Sequence, residues 1–344
     1  MSAGLRRDLV SMEPPVPSNT TEHPYHRLGP DTVLDALEAL GYACDGRLLP
    51  LNSYENRVYR VDLDGGERVV VKFYRPERWS DEAIQEEHDF AAELVSHEIP
   101  VVAPLAFDGA TLLRHAGFRY AVYPNRGGRA PELDRAEHRE WLGRFLGRIH
   151  TVAEARGFRH RPRLDVASFG RGSRDYLLAE NWLPGHLREA YESLSGHLLE
   201  GIDACFRRAG DVAELRLHGD CHPGNILWTD DGPHFVDLDD CRTGPAVQDL
   251  WMLATGDRAE MTEALADVID GYEEFREFDR RELNLVEALR TLRMMHYAAW
   301  LARRWSDPAF PAAFPWFGGD RYWEDHVLAL REQLGALSEP ALVV

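Results

Sequence analysis

An α+β fold of two lobes, a small antiparallel-sheet lobe followed by a mainly helical one, is predicted by three features of this 344-residue chain. Strand-like runs around a tight glycine turn occupy the first third, apolar stripes at helical spacing fill the remainder, and a flexible polar segment separates them. The expected boundaries are a disordered or loosely attached arm over 1–26, an N-terminal lobe over 27–123 and a C-terminal lobe over 124–344.

Taken in order, Met1 to Pro30 is rich in Pro, Ser, Thr and Asn and has no sustained apolar period, as an arm without its own core would be. From Asp31, an N-cap candidate, Val33, Leu34, Leu37 and Leu40 recur at helical spacing, and Gly41 closes that helix. Arg57 to Leu63 and Val69 to Phe73 flank Gly65-Gly66 and predict a hairpin, entered from the loop-like stretch Leu49 to Asn56. Ser80 caps a helix that opens on Asp81 and Glu82 and sets Ile84, Glu87, Ala91 and Leu94 on one face. Pro100 to Phe107, Thr111 to Arg114 and Phe118 to Tyr123 read as short strands completing the sheet lobe.

The polar run Asn125 to Arg129 marks the hinge. Beyond it, helices are predicted over 137–155, 187–209, 258–275, 282–304 and 321–337, with another starting at Ala246 after Gly244-Pro245. Asp249, in the first turn of that last one, either stabilises the helix terminus or holds backbone amides of a neighbouring loop. His150 reads as a structural histidine. The aromatic, proline-rich segment Trp305 to Phe317 serves either loop packing or an acceptor groove.

The chemistry concentrates in Leu217 to Asp240, LHGDCHPGNILWTDDGPHFVDLDD, which lies between strand-like runs at Leu215 to Leu217 and Phe235 to Leu238. Phosphoryl transfer needs one carboxylate to accept the attacking hydroxyl's proton, and an amide and a second carboxylate to hold Mg²⁺ against the ATP phosphates. Asp220, Asn225 and Asp237 are the residue types for these roles, and the Asp220 to Asn225 spacing matches a kinase catalytic loop. Each could singly be turn chemistry; their joint order and spacing argue for a site. A zinc reading of His218, Cys221 and His222 lacks a second ligand cluster.

Lys72 is the chain's single lysine, the other 38 of its 39 basic residues being arginines. It falls on the strand after the glycine turn, where a compact ammonium can reach the α- and β-phosphates. Glu87, a carboxylate on an inward helical stripe, is assigned to orient it, with Glu86 as the alternative. The loop before the hairpin carries no GxGxxG, so Ser53 and nearby amides would cover the phosphates, unless Ser53 merely forms a turn.

A net charge of −19 argues against nucleic acid or an anionic membrane as partner. No secretory or membrane-spanning run is apparent, and the four scattered cysteines suit a reducing cytoplasm.

These motifs resemble the aminoglycoside phosphotransferase and choline kinase superfamily. Within it, LNSYENRVY at Leu51 to Tyr59, VVKFYRPERW at Val70 to Trp79, LHGDCHPGNILW, FVDLDD, GPAVQDLWML at Gly244 to Leu253 and DPAFPAAFPW at Asp307 to Trp316 resemble the bacterial stress response kinase A family, also called RdoA or YihE. The resemblance implies a bilobal protein-kinase-like fold and a cytoplasmic serine/threonine protein kinase that uses ATP and Mg²⁺, acts on protein substrates and serves stress survival; a monomer is expected. By motif it makes Asp220 the proton acceptor, Asn225 and Asp237 the Mg²⁺ ligands, and Ser53 and Lys72 part of the ATP site. Gly219 stands where protein kinases have the HRD arginine, and the loop pattern is shared with enzymes that phosphorylate small alcohols. A small-molecule phosphotransferase, of amino alcohols or aminoglycosides, is therefore the close rival, and a nucleotide-binding module without catalysis the distant one.

Overall fold

The computed structural model describes residues 23–344. Helix α1 (Pro30–Glu38) starts one residue before the Asp31 cap expected from sequence, because Pro30 has the fixed φ of a first helical residue and Gly29 takes the cap position. Strands β1 (Cys44–Pro50), β2 (Arg57–Leu63) and β3 (Arg68–Phe73) are followed by helix α2 (Asp81–Ser96), then β4 (Leu113–His115) and β5 (Phe118–Pro124). The five strands form one antiparallel sheet in the order β1-β2-β3-β5-β4, and Lys72 pairs with Val58 on one side and Ala121 on the other. The hairpin, the Ser80 cap and the last strand stand where the pattern predicts them. The Ser80 hydroxyl accepts from the Ala83 amide at 3.1 Å.

One expectation for this region fails, and another is corrected at residues 23–26. Pro100 to Phe107 is extended chain rather than a strand, bridging only at Val101 to Phe235 and Phe107 to Ala110, since Pro100 and Pro104 lack the N–H a ladder needs. Of the arm expected over 1–26, residues 1–22 lie outside the described residues. The rest forms a turn in which Tyr25 is buried, its hydroxyl donating to the Phe73 carbonyl at 3.2 Å. Tyr25 and the inner face of α1 complete a core with Val61, Val71, Phe73 and Phe118 under the sheet.

The remainder is mainly helical: α3 (Ala136–Ala153), α4 (Gly172–Ala179), α5 (Gly185–Ala209), α6 (Val247–Trp251), α7 (Arg258–Glu273), α8 (Val286–Arg304), α9 (Ala309–Ala313) and α10 (Asp320–Ala336). Two short antiparallel pairs interrupt it, β6 (Leu215–Leu217) with β9 (Arg242–Gly244) and β7 (Ile226–Thr229) with β8 (Gly232–Phe235). Helices α3 and α7 pack backbone to backbone. A Cβ on Gly143 would stand 2.0 Å from the Val268 carbonyl oxygen, and one on Gly271 2.0 Å from that of Glu140. This close pair backs the β6–β9 platform, because Leu142, Leu146 and Ile149 share one core with Leu215, Leu217 and Phe235. Among the described residues no helix is long and apolar enough to cross a membrane.

Candidate active site

The site is assembled on the loop after β6. Asp249 of α6, fully buried, accepts from the His218 amide through one carboxylate oxygen and from the Gly219 amide through the other, both at 2.8 Å. Of the two roles open to it from sequence, holding a loop's amides is the one found. Its Oδ2 also lies 3.1 Å from His150 Nε2, and His150 Nδ1 lies 3.0 Å from the Tyr272 hydroxyl, so His150 is structural as expected. Gly219 has φ +84°, and a Cβ there would come 2.3 Å from the Asp240 carbonyl oxygen; glycine permits both the turn and the approach. Cys221 is buried in the core beneath the loop, and His222 Nδ1 accepts from the Gly224 amide at 3.0 Å.

On the loop, the Asn225 side-chain N–H donates to the Asp220 carbonyl at 3.0 Å, which turns the amide oxygen away from that contact. Asp237 lies past the end of β8, outside the strand expected to include it, with φ +60° and ψ +62°. This left-handed residue swings the chain into a short turn over Leu238–Asp240 and leaves the Asp237 carboxylate half exposed.

Lys72 meets three carboxylates. Its Nζ is 2.9 Å from Asp237 Oδ1, 3.3 Å from Glu87 Oε1 and 3.3 Å from Asp239 Oδ1, with the lysine, Glu87 and Asp239 all buried. Burial disfavours the ammonium, but the charges of Asp237, Asp239 and Glu87 outweigh it and hold the Lys72 pKa well above the ordinary lysine value. Burial pushes Glu87 up to about 7 despite the lowering by Lys72. The alternative partner, Glu86, faces elsewhere and accepts from the amides of Arg159, His160 and Arg161 at 2.7–2.9 Å.

Asp220 points the other way. Its Oδ1 accepts from Arg293 of α8 at 2.5 Å, and its Oδ2 lies 3.5 Å from His222 Nε2. Burial raises its pKa, but the His222 hydrogen bond and the Arg293 charge prevail and hold it well below the usual carboxylate range.

Two cavities meet along this loop. A cleft of about 640 Å³ between the sheet and the helical part is lined by Ser53, Lys72, Glu87, Tyr123, Asn225 and Asp237. A smaller cavity of about 190 Å³ is lined by Glu55, Asp220, Asp240, Arg293, Tyr297 and Trp300. Five of the six residues singled out by sequence thus share the larger cleft, and Asp220 opens on the smaller one.

Sequence reasoning missed the groups that pair with these. Arg78 bonds both Asp239 and, at 2.9 Å, Asp240, while Arg242 reaches Asp240 at 2.7 Å. Asp239 carried a signal, an acid two residues after Asp237 in the same run. The arginines carried none among 38.

Asn225 and Asp237 offer an amide oxygen and a carboxylate at the cleft, a hard donor set that fits Mg²⁺. Among the described residues no group of three or more His, Cys, Asp and Glu side chains could hold a metal ion. A cation here would complete its shell with phosphate oxygens and water, as Mg²⁺ does.

The phosphotransferase enzyme family matches residues 47–286 of the chain. Stress response kinase A of Salmonella choleraesuis is 49% identical over 324 residues, covering 94% of this chain and 98% of that protein. A Salmonella typhimurium protein named serine/threonine protein kinase RdoA has the same identity and coverage. Among solved structures, an amicoumacin kinase in complex with AMP-PNP, Ca²⁺ and its ligand has a TM-score of 0.68 at 19% identity, covering 90% of this chain and 94% of that one. A microcompartment-associated aminopropanol kinase has a TM-score of 0.62 at 21% identity, over 87% and 99% of the two chains. At such identities the structural likeness speaks to the fold alone.

Proposed function

We propose, from the premise that the chain belongs to the phosphotransferase enzyme family and is a kinase of the stress response kinase A group, that it transfers the γ-phosphate of ATP to serine and threonine hydroxyls of proteins. The observation that carries this reading is the division of labour along one loop. The sole lysine and both proposed cation ligands line the larger cleft, and the proposed base lines the smaller cavity. A nucleotide in the first and a hydroxyl in the second would approach each other across Asp220.

Lys72, fully protonated and oriented by Glu87, supplies a fixed positive charge to the α- and β-phosphates. Mg²⁺ on Asn225 and Asp237 would neutralise charge on the β- and γ-phosphates. Ser53 and the amides of its loop close over the phosphates. Asp220 orients the acceptor hydroxyl and takes its proton. A weak base suffices, because the transition state is loose and most of the work is positioning and charge stabilisation. Four unpaired cysteines support a reducing cytoplasm, and the relatives' names support a role in stress survival.

A second reading, a small alcohol as acceptor, is favoured by the size of the smaller cavity, about 190 Å³ with aromatic walls. A cationic amine finds no unpaired carboxylate there, since Glu55, Asp220 and Asp240 each face arginine.

Transfer of labelled γ-phosphate from Mg·ATP to the protein itself and to a generic basic protein, with Asp220→Ala as the blank, tests the proposal. Label on serine or threonine, absent in the blank, is expected. ATP consumption stimulated only by a small alcohol, with no protein label, would refute the protein acceptor and favour the second reading.

A further inference from the structure

The loop over the proposed phosphate site, Leu51 to Asn56, contains no glycine, yet a covering loop must hold its amides in place. Its anchors come from the far end of the chain. Glu55, 9% exposed, accepts from Trp300 Nε1 at 2.5 Å and from Arg304 Nε at 2.9 Å, both on α8. Just beyond α8, Asp307 is 1% exposed and takes both its oxygens to Arg57, at 2.9 Å each, with Arg75 Nη2 at 2.6 Å from Oδ2. Arg75 closes the circuit. Its Nε donates to the Glu55 carbonyl at 3.0 Å, and its amide donates to Asn56 Oδ1 at 3.0 Å. On the surface the Tyr54 ring meets Phe314 edge-on at 4.8 Å.

We propose that Glu55 and Asp307 are positioning residues that strap the nucleotide-covering loop to α8 and the segment after it, so that nucleotide affinity is set from the C-terminal part of the chain. Neither residue lines the larger cleft, whereas Asn52 and Ser53 of the same loop do. The aromatic run Trp305 to Phe317 thereby supports the strap, with Phe310 packed under Arg75 and Phe314 under Tyr54. Glu55 also faces the smaller cavity, beside Trp300, so the strap gives the acceptor side a mechanical connection to the nucleotide side. A glycine-rich flap gains its fit by flexing. Here buried ion pairs, costly to break one partner at a time, hold the loop in one place.

The proposal rests on ATP being the nucleotide, and the test separates the two. Amide hydrogen exchange over residues 51–56 is measured without nucleotide in wild type, Glu55→Gln, Asp307→Asn and Trp300→Phe, and binding of a methylanthraniloyl derivative of ATP with Mg²⁺ is then titrated well below each unfolding midpoint. Exchange in the loop at least tenfold faster, unchanged exchange over residues 217–225, and nucleotide Kd raised about tenfold are expected for Glu55→Gln and Asp307→Asn. Trp300→Phe, which keeps both charges, is expected to show a smaller shift in the same direction and serves if Asp307→Asn fails to fold. Loop exchange and Kd both within twofold of wild type would overturn the strap. A wild type that binds no nucleotide would overturn the proposed function instead, while the exchange rates alone would still decide whether the loop is anchored.

Discussion

Replacing Glu87 by glutamine probes the lysine site through two independent readouts. Glu87 is 3% exposed, one of its oxygens lies 3.3 Å from Lys72, and the other has no hydrogen-bond partner. Burial, the largest influence, pushes its pKa from 4.5 to about 7 although the Lys72 charge pulls it down. In the unfolded chain the group ionises near 4.5, so between these values the folded state holds the proton more tightly. The stability it contributes is complete below about pH 4.5 and lost as pH rises through 7. At roughly 1.4 kcal/mol per pKa unit, this amounts to about 3 kcal/mol. Glutamine cannot titrate, so the difference in unfolding free energy between wild type and Glu87→Gln is expected to move by about 3 kcal/mol in the variant's favour from pH 4.5 to pH 8. The Lys72 charge is already part of that pKa, and glutamine keeps an amide oxygen for Lys72 to donate to, so any remaining difference between the two proteins offsets the curve without changing its slope. Glu282, also pushed up to about 7 by burial, and His296 and His326, held down by burial, titrate alike in both proteins and cancel. Urea unfolding at four pH values reads this directly. At pH 8 the variant is also expected to bind ATP about tenfold more weakly, because Lys72 loses a positioning carboxylate. Stability profiles running parallel within about 1 kcal/mol would refute the assignment of Glu87 as a titrating buried partner.

Three further outcomes are expected. Asp237→Asn keeps the fold but lowers kcat by about 10²-fold or more, since a charge-stabilising group is lost at the phosphates; full turnover with unaltered Mg²⁺ dependence would contradict its role as cation ligand. Asp249→Asn gives up two charge-assisted bonds to the catalytic-loop amides and is expected to lower unfolding free energy by about 3 kcal/mol or more; an unmoved urea midpoint would show the loop to be held otherwise. Arg293→Ala frees Asp220 from one of the two groups that depress its pKa, so the acidic limb of the kcat/KM profile shifts to higher pH. A limb that stays in place would mean that Arg293 does not govern the ionisation of Asp220.

What could be read from sequence was what local pattern encodes. The hairpin announced itself through Gly65-Gly66 between apolar runs, the α2 cap through Ser80, and the catalytic loop through spacing alone. Lys72 and Glu87 were legible because each stands on an element whose inward face is periodic. Strand β1 has no signature in the sequence, and its last two residues fall in the loop-like stretch, because it is an edge strand with no buried residue and no alternation marks it. The helix predicted over 282–304 begins only at Val286; its first four predicted residues belong to the 3₁₀ segment Arg280–Leu285, whose tight turns carry similar apolar spacing. The partners of the site stayed hidden for a different reason. Arg293 meets Asp220 across 73 residues, and Asp307 meets Arg57 across 250. Such pairs are made by tertiary packing, and one arginine among 38 carries no local mark of the carboxylate it will find.

The abundance of arginine bears on how the metal-side segment is kept in order. In protein kinases the residue after the catalytic-loop histidine is an arginine, and a phosphate on the activation loop can recruit arginine to order that loop. Gly219 takes that place, and the Asp240 carbonyl passes too close for any side chain. Three other arginines hold the turn after Asp237 instead. Arg242 of β9 donates to the Asp240 carbonyl at 2.8 Å, Arg161 donates to the carbonyls of Asp239 and Cys241, and Arg78 bonds both carboxylates of the turn. Each draws on charge already in the chain. Asp239 and Asp240 supply the anions that a phosphate would otherwise bring, and against the opposing pull of burial Arg78 and Lys72 hold Asp239, and Arg78 and Arg242 hold Asp240, below the ordinary carboxylate pKa. The turn that carries Asp237 to the edge of the cleft is thus held by ion pairs within the chain, between arginines and the two acids that follow it.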